Sequence, residues 1–419
     1  MSAGPPPDAL PPNTPGGRAA RPRRTAAERE ALRPHIAEWF GHRVFPTVAA
    51  HEQAQRDQRE QRCPFLSQVA ERDYGCVKAP NSKGVCTVSA GSNGSRQDWL
   101  VCPHRALDDD LLHAMVRRLY GLADGQPVHV LPVTNLADPA VRARFLAAAA
   151  DPAAPRQFLA FQQLFGGEIG LSRTPASPEL SFDATIVEVG PDPHGAHPPG
   201  GHPGSEDDPP PVRLGRYGVI EVQTADTHGS YRHAVEAMVS ALDLHRGDFP
   251  DQIAAHPDWP GRKVEGPNIS NVFKRTFYQV MVKFQLTRRD SSAGCVLAIP
   301  RPVWDSWQPF LGAPELVERD DGTFRLVAAG DRHDDDPVLA GRQAQPPNWI
   351  YVFDIDEQPP ADGQPTPVKI DAVVGTDAPS LSRLALDVAP ARAAELGGHQ
   401  DAVADALRRR LARYAPELL

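Results

Sequence analysis

The sequence predicts an α/β protein that carries a four-cysteine metal-binding subdomain near its N terminus. Segments rich in Val and Ile, which are typical of strands, alternate with segments whose apolar residues recur at helical spacing. Four of the five cysteines lie within forty residues of one another. The chain has 419 residues, of which 41% are hydrophobic and 23% charged, so we expect two or three folded domains of roughly 150 residues each.

Composition divides the chain into four predicted regions. Residues 1–34 are rich in Pro and Arg and are predicted to be a disordered arm. Residues 35–112 carry the four-cysteine subdomain, residues 113–310 form the core, and residues 311–419 form an acidic C-terminal region that closes the core and ends in a helix. Within the core, residues 190–215 contain eight prolines and are predicted to be a disordered insertion at a hairpin tip.

The core elements follow from local patterns. The segments LSFDATIVEV and RYGVIEVQTAD flank the insertion and are predicted to pair as an antiparallel hairpin. Helical spacing of apolar residues predicts helices near 230–244 and 270–286, and a charged helix ends the chain near 392–413. The apolar segments 295–300 and 349–356 are predicted to be buried strands.

The four clustered cysteines predict a metal site. Their spacing is C-x12-C-x9-C-x15-C, formed by Cys63, Cys76, Cys86 and Cys102. This spacing lacks the paired C-x2-C of common zinc ribbons. Four thiolates suit zinc or iron, and the spacing does not distinguish the two metals. The alternative is a set of buried or redox-active thiols without a metal.

The predicted hairpin brings carboxylates together. Pairing residue 183 with residue 222 sets Asp183 beside Glu221 and Gln223, which share one face of their strand. Oxygen ligands grouped in this way suit Mg²⁺, which takes one or two carboxylates together with phosphate oxygens and water. The alternative is a pair of solvated strand ends with no catalytic role.

Charge and hydropathy limit the class of protein. No apolar run approaches the roughly 18 residues that a membrane helix needs, and the N terminus lacks a signal-peptide pattern, so we expect a soluble, cytoplasmic protein. The net charge of −9 is unevenly distributed, since residues 315–357 carry −7 and residues 261–289 carry +6. In the basic segment, Lys274, Arg275 and Lys283 are predicted to lie away from the apolar stripe, either as DNA contacts or as a solvated face.

Ten blocks follow one another in order between about residue 36 and residue 307. They are IAEWFGHRVFP, CPFL, CVKA, GVC, DWLVCPHRALD, FGGEIGLSRT, SPELSFD, RYGVIEVQTADTHGSYRHAV, EGPNISNVFKRTFYQ and AIPRPVWDSW. Together these blocks resemble the NotI-like family of Type II restriction endonucleases. The arm, the insertion and most of the chain after residue 307 do not share this resemblance, apart from the segment WIYVFDID.

The resemblance implies a mixed-sheet PD-(D/E)-x-K nuclease core in a homodimer. Such an enzyme uses Mg²⁺ to hydrolyse both strands of a palindromic duplex DNA site, here expected to be GC-rich, and leaves 5′-phosphates. It also implies a cognate DNA methyltransferase in the host. Two other functions remain open: a metal-stabilised DNA-binding regulator without activity, and a Mg²⁺-dependent DNA-processing nuclease without a restriction role.

The resemblance also implies roles for particular residues. The active site carries over to Asp183, Glu221 and Gln223, with Glu168 as an additional acidic member. Gln223 stands where most PD-(D/E)-x-K nucleases have Lys, and the resemblance makes this a trait of the family. The four-cysteine cluster is implied to hold a single structural iron, with zinc as the alternative.

Overall fold

The computed structural model describes most of the chain after the N-terminal arm. The described residues are 25, 30–92, 94–175, 179–192, 211–227, 229–268, 272–328, 348–358, 360, 363–395 and 400–418. The predicted arm and the centre of the predicted insertion fall almost entirely outside these ranges, so both stay predictions.

The described residues form strands and helices in alternation. The strands are β1 (His35–Trp39), β2 (His42–Arg43), β3 (Val85–Ser92), β4 (Ser95–Leu100), β5 (Val128–Pro132), β6 (Arg156–Gln162), β7 (Gly170–Leu171), β8 (Leu180–Ser181), β9 (Ala184–Pro191), β10 (Val212–Val222), β11 (Asp226–Thr227), β12 (Pro267–Asn268), β13 (Ser292–Pro300), β14 (Glu315–Glu318), β15 (Phe324–Val327), β16 (Asn348–Ile355) and β17 (Val368–Thr376). The helices are α1 (Glu52–Glu60), α2 (Pro64–Ala70), α3 (Asp109–Tyr120), α4 (Pro139–Ala150), α5 (Arg232–Leu244), α6 (Phe249–Ala255), α7 (Val272–Leu286), α8 (Arg301–Trp307), α9 (Ala378–Arg383), α10 (Ala389–Glu395) and α11 (Gln400–Tyr414).

A nine-stranded mixed sheet forms the centre of the molecule, as the sequence predicts for the α/β class. Its strand order is β14-β15-β17-β16-β13-β10-β9-β6-β5. Strand β9 is antiparallel to both of its neighbours, β6 and β10, whereas β13 lies parallel to β10. A parallel neighbour requires a crossover connection, and the chain between β10 and β13 contains helices α5, α6 and α7.

Helix α3 illustrates how local sequence sets an element. The Asp108 side chain caps its N terminus by accepting from the backbone N–H of Leu111 at 3.4 Å. Acidic residues occupy the first turn, basic residues occupy the last turn, and Gly121 ends the helix at a φ of 64°. The helix packs on β10 and β13. It spans the predicted boundary at residue 112, so that boundary falls inside a helix.

The small N-terminal sheet shares its hydrophobic core with the large one. Its strand order is β2-β1-β3-β4, and all its pairs are antiparallel. One buried cluster joins Trp39 of β1 to Val219 of β10 and Met238 of α5. A second cluster joins Phe65 of α2 to Ile220 of β10. The cysteine-bearing region is therefore packed against the sheet that carries the predicted carboxylates.

Two buried arginines connect the small sheet to the part of the large sheet where β16 ends and β17 begins. Arg105 pairs with Glu38 of β1 at 3.3 Å between Nε and Oε2, with neither side chain exposed, and it also donates to the carbonyl of Thr366 just before β17. Arg43 donates to the carbonyl of Ile355 at the end of β16 at 3.0 Å. A buried charge is tolerated only when it is paired and hydrogen-bonded, and both arginines meet this condition.

The predicted elements are found with modest shifts. The two core helices are confirmed as α5 and α7, and the two buried strands as β13 and β16, which lie side by side. The ends of the 190–215 segment are part of β9 and β10, so the predicted insertion is shorter than expected. The terminal helix corresponds to α10 and α11. Among the described helices, none has the length and apolar character that crossing a membrane requires.

Replacement of Arg105 tests the connection between the sheets. We expect Arg105→Ala to lower the free energy of unfolding by about 3–5 kcal/mol, because Glu38 is left buried without its partner. Urea denaturation measures this change. Arg232→Ala is the matched control, since Arg232 pairs with Glu236 on the exposed side of α5 and its removal should leave stability nearly unchanged. Equal stability of the two variants would contradict the role of Arg105.

Candidate active site

The candidate site lies where the β9–β10 hairpin opens. Ala184 pairs with Ile220 and Thr185 with Val219, so the next position places Asp183 opposite Glu221. The expected pairing of residue 183 with residue 222 is therefore wrong by one residue. The difference matters because residues directly opposite each other in an antiparallel pair share one face. The observed register, which shifts between Leu214 and Tyr217, puts both carboxylates on that face.

Hydrogen bonds hold the two carboxylates against each other's strand. The backbone N–H of Val222 donates to Oδ2 of Asp183 at 2.9 Å. The backbone N–H of Asp183 donates to Oε1 of Glu221 at 3.3 Å. These reciprocal bonds orient the side chains before any ligand binds.

Glu221 is the most perturbed of the predicted catalytic residues. Only 6% of the residue is exposed. Burial raises the pKa of its carboxyl to about 8, and the neighbouring carboxylate of Asp183 acts in the same direction, while Lys283 opposes both. A metal cation bound beside the two carboxylates favours their charged forms.

Helix α7 forms the second wall of the site. Its residues Thr276 and Lys283 are two turns apart and therefore lie on one face. Lys283 Nζ forms an ion pair with Oε2 of Glu221, and the Thr276 hydroxyl donates to Oε1 of Gln223. Gln223 also donates from Nε2 to the carbonyl of Thr224 at 2.6 Å. Glu221 and Gln223 thus each have a partner on the helix.

These residues line an open cleft of about 650 Å³. Three of the lining residues are acidic, namely Glu179, Asp183 and Glu221, and one is basic, Lys283. The other lining residues are Gly170, Leu171, Ser172, Leu180, Ser181, Val222, Gln223, Thr276, Gln279, Val280 and Leu297. The cleft is therefore polar and lies at the carboxyl end of β10, beside its parallel neighbour β13.

Glu168 is not among the described residues that line the cleft. It is exposed and lies two residues before Gly170, which does line the cleft. Its role as an additional acidic member stays a prediction. Glu179 is the exposed carboxylate that the described structure places at the cleft instead. Pro178, which precedes it, lies outside the described residues.

The three basic DNA-contact candidates separate into two groups. Lys274 and Arg275 are exposed on α7, as expected. Lys283 is buried with its side chain 6% exposed, so the expectation that it lies on the solvent-facing side of the helix is wrong. The neighbours of Lys283 on the helix explain the difference. Val280 and Phe284 are buried, and Lys283 lies on the same buried side of the helix as these two residues.

The four cysteines lie near one another, with Cys63 at the start of α2 and Cys86 in β3. Cys63 and Cys102 each precede a proline and begin a helical turn. The backbone N–H groups of Leu66 and Phe65 face the sulfur of Cys63, and those of His104 and Arg105 face the sulfur of Cys102. The N–H of Gly84 donates to the sulfur of Cys76 at 3.4 Å. Backbone donors aimed at sulfur favour the thiolate form.

The protonation of the cluster depends on its neighbours. Burial raises the pKa of the Cys63 thiol to about 12, and it also raises the pKa values of Cys86 and Cys102. Every pair among the four thiols is close enough for a charge on one to disfavour ionisation of another. Within the described ranges, no group of three or more His, Cys, Asp or Glu is arranged to hold a metal ion.

Sequence reasoning missed two residues that contribute to the site. The helical spacing predicts that Lys283 lies at the surface, and it assigns Thr276 no part in the site. A signal was present, because residues seven apart on a helix are two turns apart and lie on the same face. Applying that spacing from Lys283 leads to Thr276, but nothing in the helix alone indicates that this face meets the carboxylate strands.

The arrangement can hold a divalent cation and polarise a phosphate. Two carboxylates at a strand end, with polar side chains around an open cleft, match the oxygen-rich coordination that Mg²⁺ accepts. No protein-family model matches the chain, and no curated protein matches it at significant similarity. The family inferred from the ten sequence blocks therefore stays a prediction.

The pH dependence of stability tests the coupling of the two carboxylates. The pKa of Glu221 is about 8 in the folded protein, against 4.5 for an ordinary glutamate. The protonated form thus stabilises the fold at low pH, and this stabilisation is lost as the pH rises towards about 8. Asp183→Asn removes a charge that raises this pKa, so the variant should gain stability relative to wild type between about pH 5 and about pH 9.

The measurement is urea unfolding in a chelating buffer across that range. Asp243→Asn is the control, because Asp243 is an exposed residue of α5, and its curve should run parallel to that of wild type. A parallel curve for Asp183→Asn as well would contradict the coupling.

Proposed function

We propose that the protein is a Type II restriction endonuclease with a PD-(D/E)-x-K core, which uses Mg²⁺ to cut both strands of a palindromic DNA duplex. The observation that carries this proposal is the hydrogen-bonded pair of Asp183 and Glu221 at the opening of the central hairpin, with Gln223 beside them in an open cleft. The strand arrangement supports it, since ligands bind at the carboxyl ends of strands where a crossover begins.

The chain's own residues have separate tasks in this proposal. Asp183 and Glu221 would hold the cation, and backbone N–H groups already orient both carboxylates. Mg²⁺, when bound, lowers the pKa of a water molecule and neutralises charge on the scissile phosphate. Gln223, held by Thr276, orients water through its remaining N–H without supplying charge.

The surface near the cleft supports DNA as the substrate. Lys274 and Arg275 are exposed on α7, the helix whose other face lines the cleft. The segment 261–289 carries a charge of +6 although the whole chain carries −9. Phosphate contacts of this kind position a duplex and make its binding depend on salt. A palindromic site has two-fold symmetry, which matches a homodimer whose two subunits are related by a two-fold axis.

We propose that the four-cysteine cluster holds one structural iron, with zinc as the alternative. The chemistry of the donors supports this proposal, because soft sulfur suits iron and zinc and backbone N–H groups face at least three of the four sulfurs. Two of the four cysteines, Cys63 and Cys86, lie in a core cluster that includes Ile220 of the large sheet. A structural metal of this kind contributes on the order of 10 kcal/mol, so it would stabilise the sheet that carries the carboxylates.

Cleavage of DNA tests the proposed activity. We expect discrete fragments when the protein is incubated with unmethylated genomic DNA and Mg²⁺. Asp183→Asn should abolish cleavage and leave specific DNA binding measurable, because it removes a cation ligand and no exposed basic residue. Sequencing of the fragment ends gives the recognition site and shows whether 5′-phosphates are left.

Two outcomes would favour the other functions. A continuous smear of products indicates a DNA-processing nuclease without site specificity. Binding without any cleavage by the wild-type protein indicates a non-catalytic regulator. Normal cleavage by Asp183→Asn would contradict the assignment of the site.

Elemental analysis tests the metal cluster. We expect about one iron or zinc per chain in the wild-type protein, because a site of this type gathers four deprotonated thiols around a single ion. Cys102→Ser should lose the metal and unfold at a lower temperature. Cys295→Ser is the matched control, because Cys295 is equally buried but lies in β13, away from the cluster. Retention of a full complement of metal by Cys102→Ser would contradict the proposal.

A further inference from the structure

The strand that carries Glu221 and Gln223 supplies no positive charge to the cleft. Gln223 is neutral at every pH, and its amide is held by Thr276 on one side and by the carbonyl of Thr224 on the other. The cleft contains three carboxylates. A phosphodiester entering it would meet net negative charge that one cation on two of these carboxylates only partly offsets.

Lys283 is the only basic side chain among the described residues that line this cleft. Its ammonium forms an ion pair with Oε2 of Glu221, the carboxylate oxygen that does not accept from Asp183. It also lies 5.9 Å from the centre of the Phe182 ring. The ammonium is therefore at the carboxylate pair and not at the outer surface of α7.

Helix α7 fixes the position of this ammonium. The neighbouring residues Val280 and Phe284 are buried in the core. The backbone N–H of Thr287, one turn after Lys283, donates to the Lys283 carbonyl at 3.1 Å, and the Thr287 hydroxyl donates to Oδ1 of Asn348 in β16 at 3.0 Å. The helix end is thus attached to the large sheet, and Lys283 has little freedom to leave the cleft.

We propose that Lys283 is a catalytic residue of the nuclease site and supplies from helix α7 the cationic group that position 223 of the strand lacks. The proposal rests on the proposed nuclease function. In the reaction, the oxygen of a water molecule bonds to phosphorus and the P–O3′ bond breaks, with its electron pair remaining on O3′. The proton released by the water passes to solvent, and O3′ takes up a proton from solvent. Lys283 donates a hydrogen bond to a non-bridging phosphate oxygen and keeps its own proton.

A purely structural ion pair is the competing explanation. A buried ion pair is weak support for stability, because desolvation of the two charges offsets their attraction. A structural role predicts that any loss of cleavage after substitution follows a loss of folding. A catalytic role predicts that cleavage falls while folding and DNA binding persist, and that a lysine placed elsewhere in the cleft restores it.

Relocation of the lysine separates the two explanations. The substrate is a linear fragment of genomic DNA that the wild-type enzyme cuts once, and cleavage is followed in a single turnover with enzyme in excess. We expect Lys283→Gln to slow cleavage by about 100-fold to 1000-fold, the usual effect of removing one donor to transition-state charge. Its affinity for the same fragment, measured with Ca²⁺ in place of Mg²⁺, should remain close to that of wild type. Its melting temperature should fall, because Glu221 loses its buried partner, but circular dichroism should show the variant folded at the assay temperature.

The double variant Gln223→Lys with Lys283→Gln is the decisive measurement. We expect it to cleave at least about tenfold faster than Lys283→Gln, because the cation is returned to the strand beside Glu221. Lys369→Gln is the matched control, because Lys369 is an exposed lysine of β17 and is not among the described residues that line the cleft. It should leave both the single-turnover step and the affinity for DNA unchanged.

Three outcomes would overturn the proposal: unchanged cleavage by Lys283→Gln, a loss that matches a loss of folding, or no restoration in the double variant. Failure of the wild-type protein to cleave any DNA would instead remove the proposed function itself.

Discussion

The antiparallel register between β9 and β10 is the constraint on which the candidate site depends. Two hydrogen bonds hold the carboxylates: the N–H of Asp183 donates to Glu221, and the N–H of Val222 donates to Asp183. Both bonds require residue 184 to pair with residue 220. A shift of one position would move Asp183 to the opposite face of the sheet and leave Glu221 without the carboxylate that lies opposite it. The strands around the hairpin maintain this register, since β10 is also paired with β13 and β9 with β6.

Helix α7 completes the site because the register presents one polar face to it. The inward side of this helix is not purely apolar, since it carries Thr276 and Lys283 among buried apolar residues. A buried lysine is costly unless it meets a carboxylate, and Glu221 provides that partner. The two residues therefore depend on each other, and both depend on the crossover that brings the helix back over the sheet.

The N-terminal region supports the same sheet from another side. Arg43 of β2 and Arg105, which pairs with Glu38 of β1, donate to backbone carbonyls near β16 and β17. Cys63 and Cys86 lie in a core cluster that includes Ile220 of β10. Under the proposed metal site, we expect loss of the metal to disturb the strands of the cleft as well as the N-terminal region. The overall charge of −9 is compatible with DNA binding in this arrangement, because basic residues lie on the exposed side of α7 and a bound cation would offset the acidic residues of the cleft.

The sequence alone determined the α/β class, the hairpin, the two helices that follow it and the identity of the two carboxylates. These features are local, because short segments of sequence determine strand composition, helical spacing and the positions of charged residues. Only the tertiary structure decided the register, the burial of Lys283 and the partner of Gln223. A shift of one residue in the pairing costs nothing in local propensity, and the inward face of α7 is set by the sheet it packs on. Spacing could single out four cysteines, but their convergence required β3, β4 and α2 to fold together.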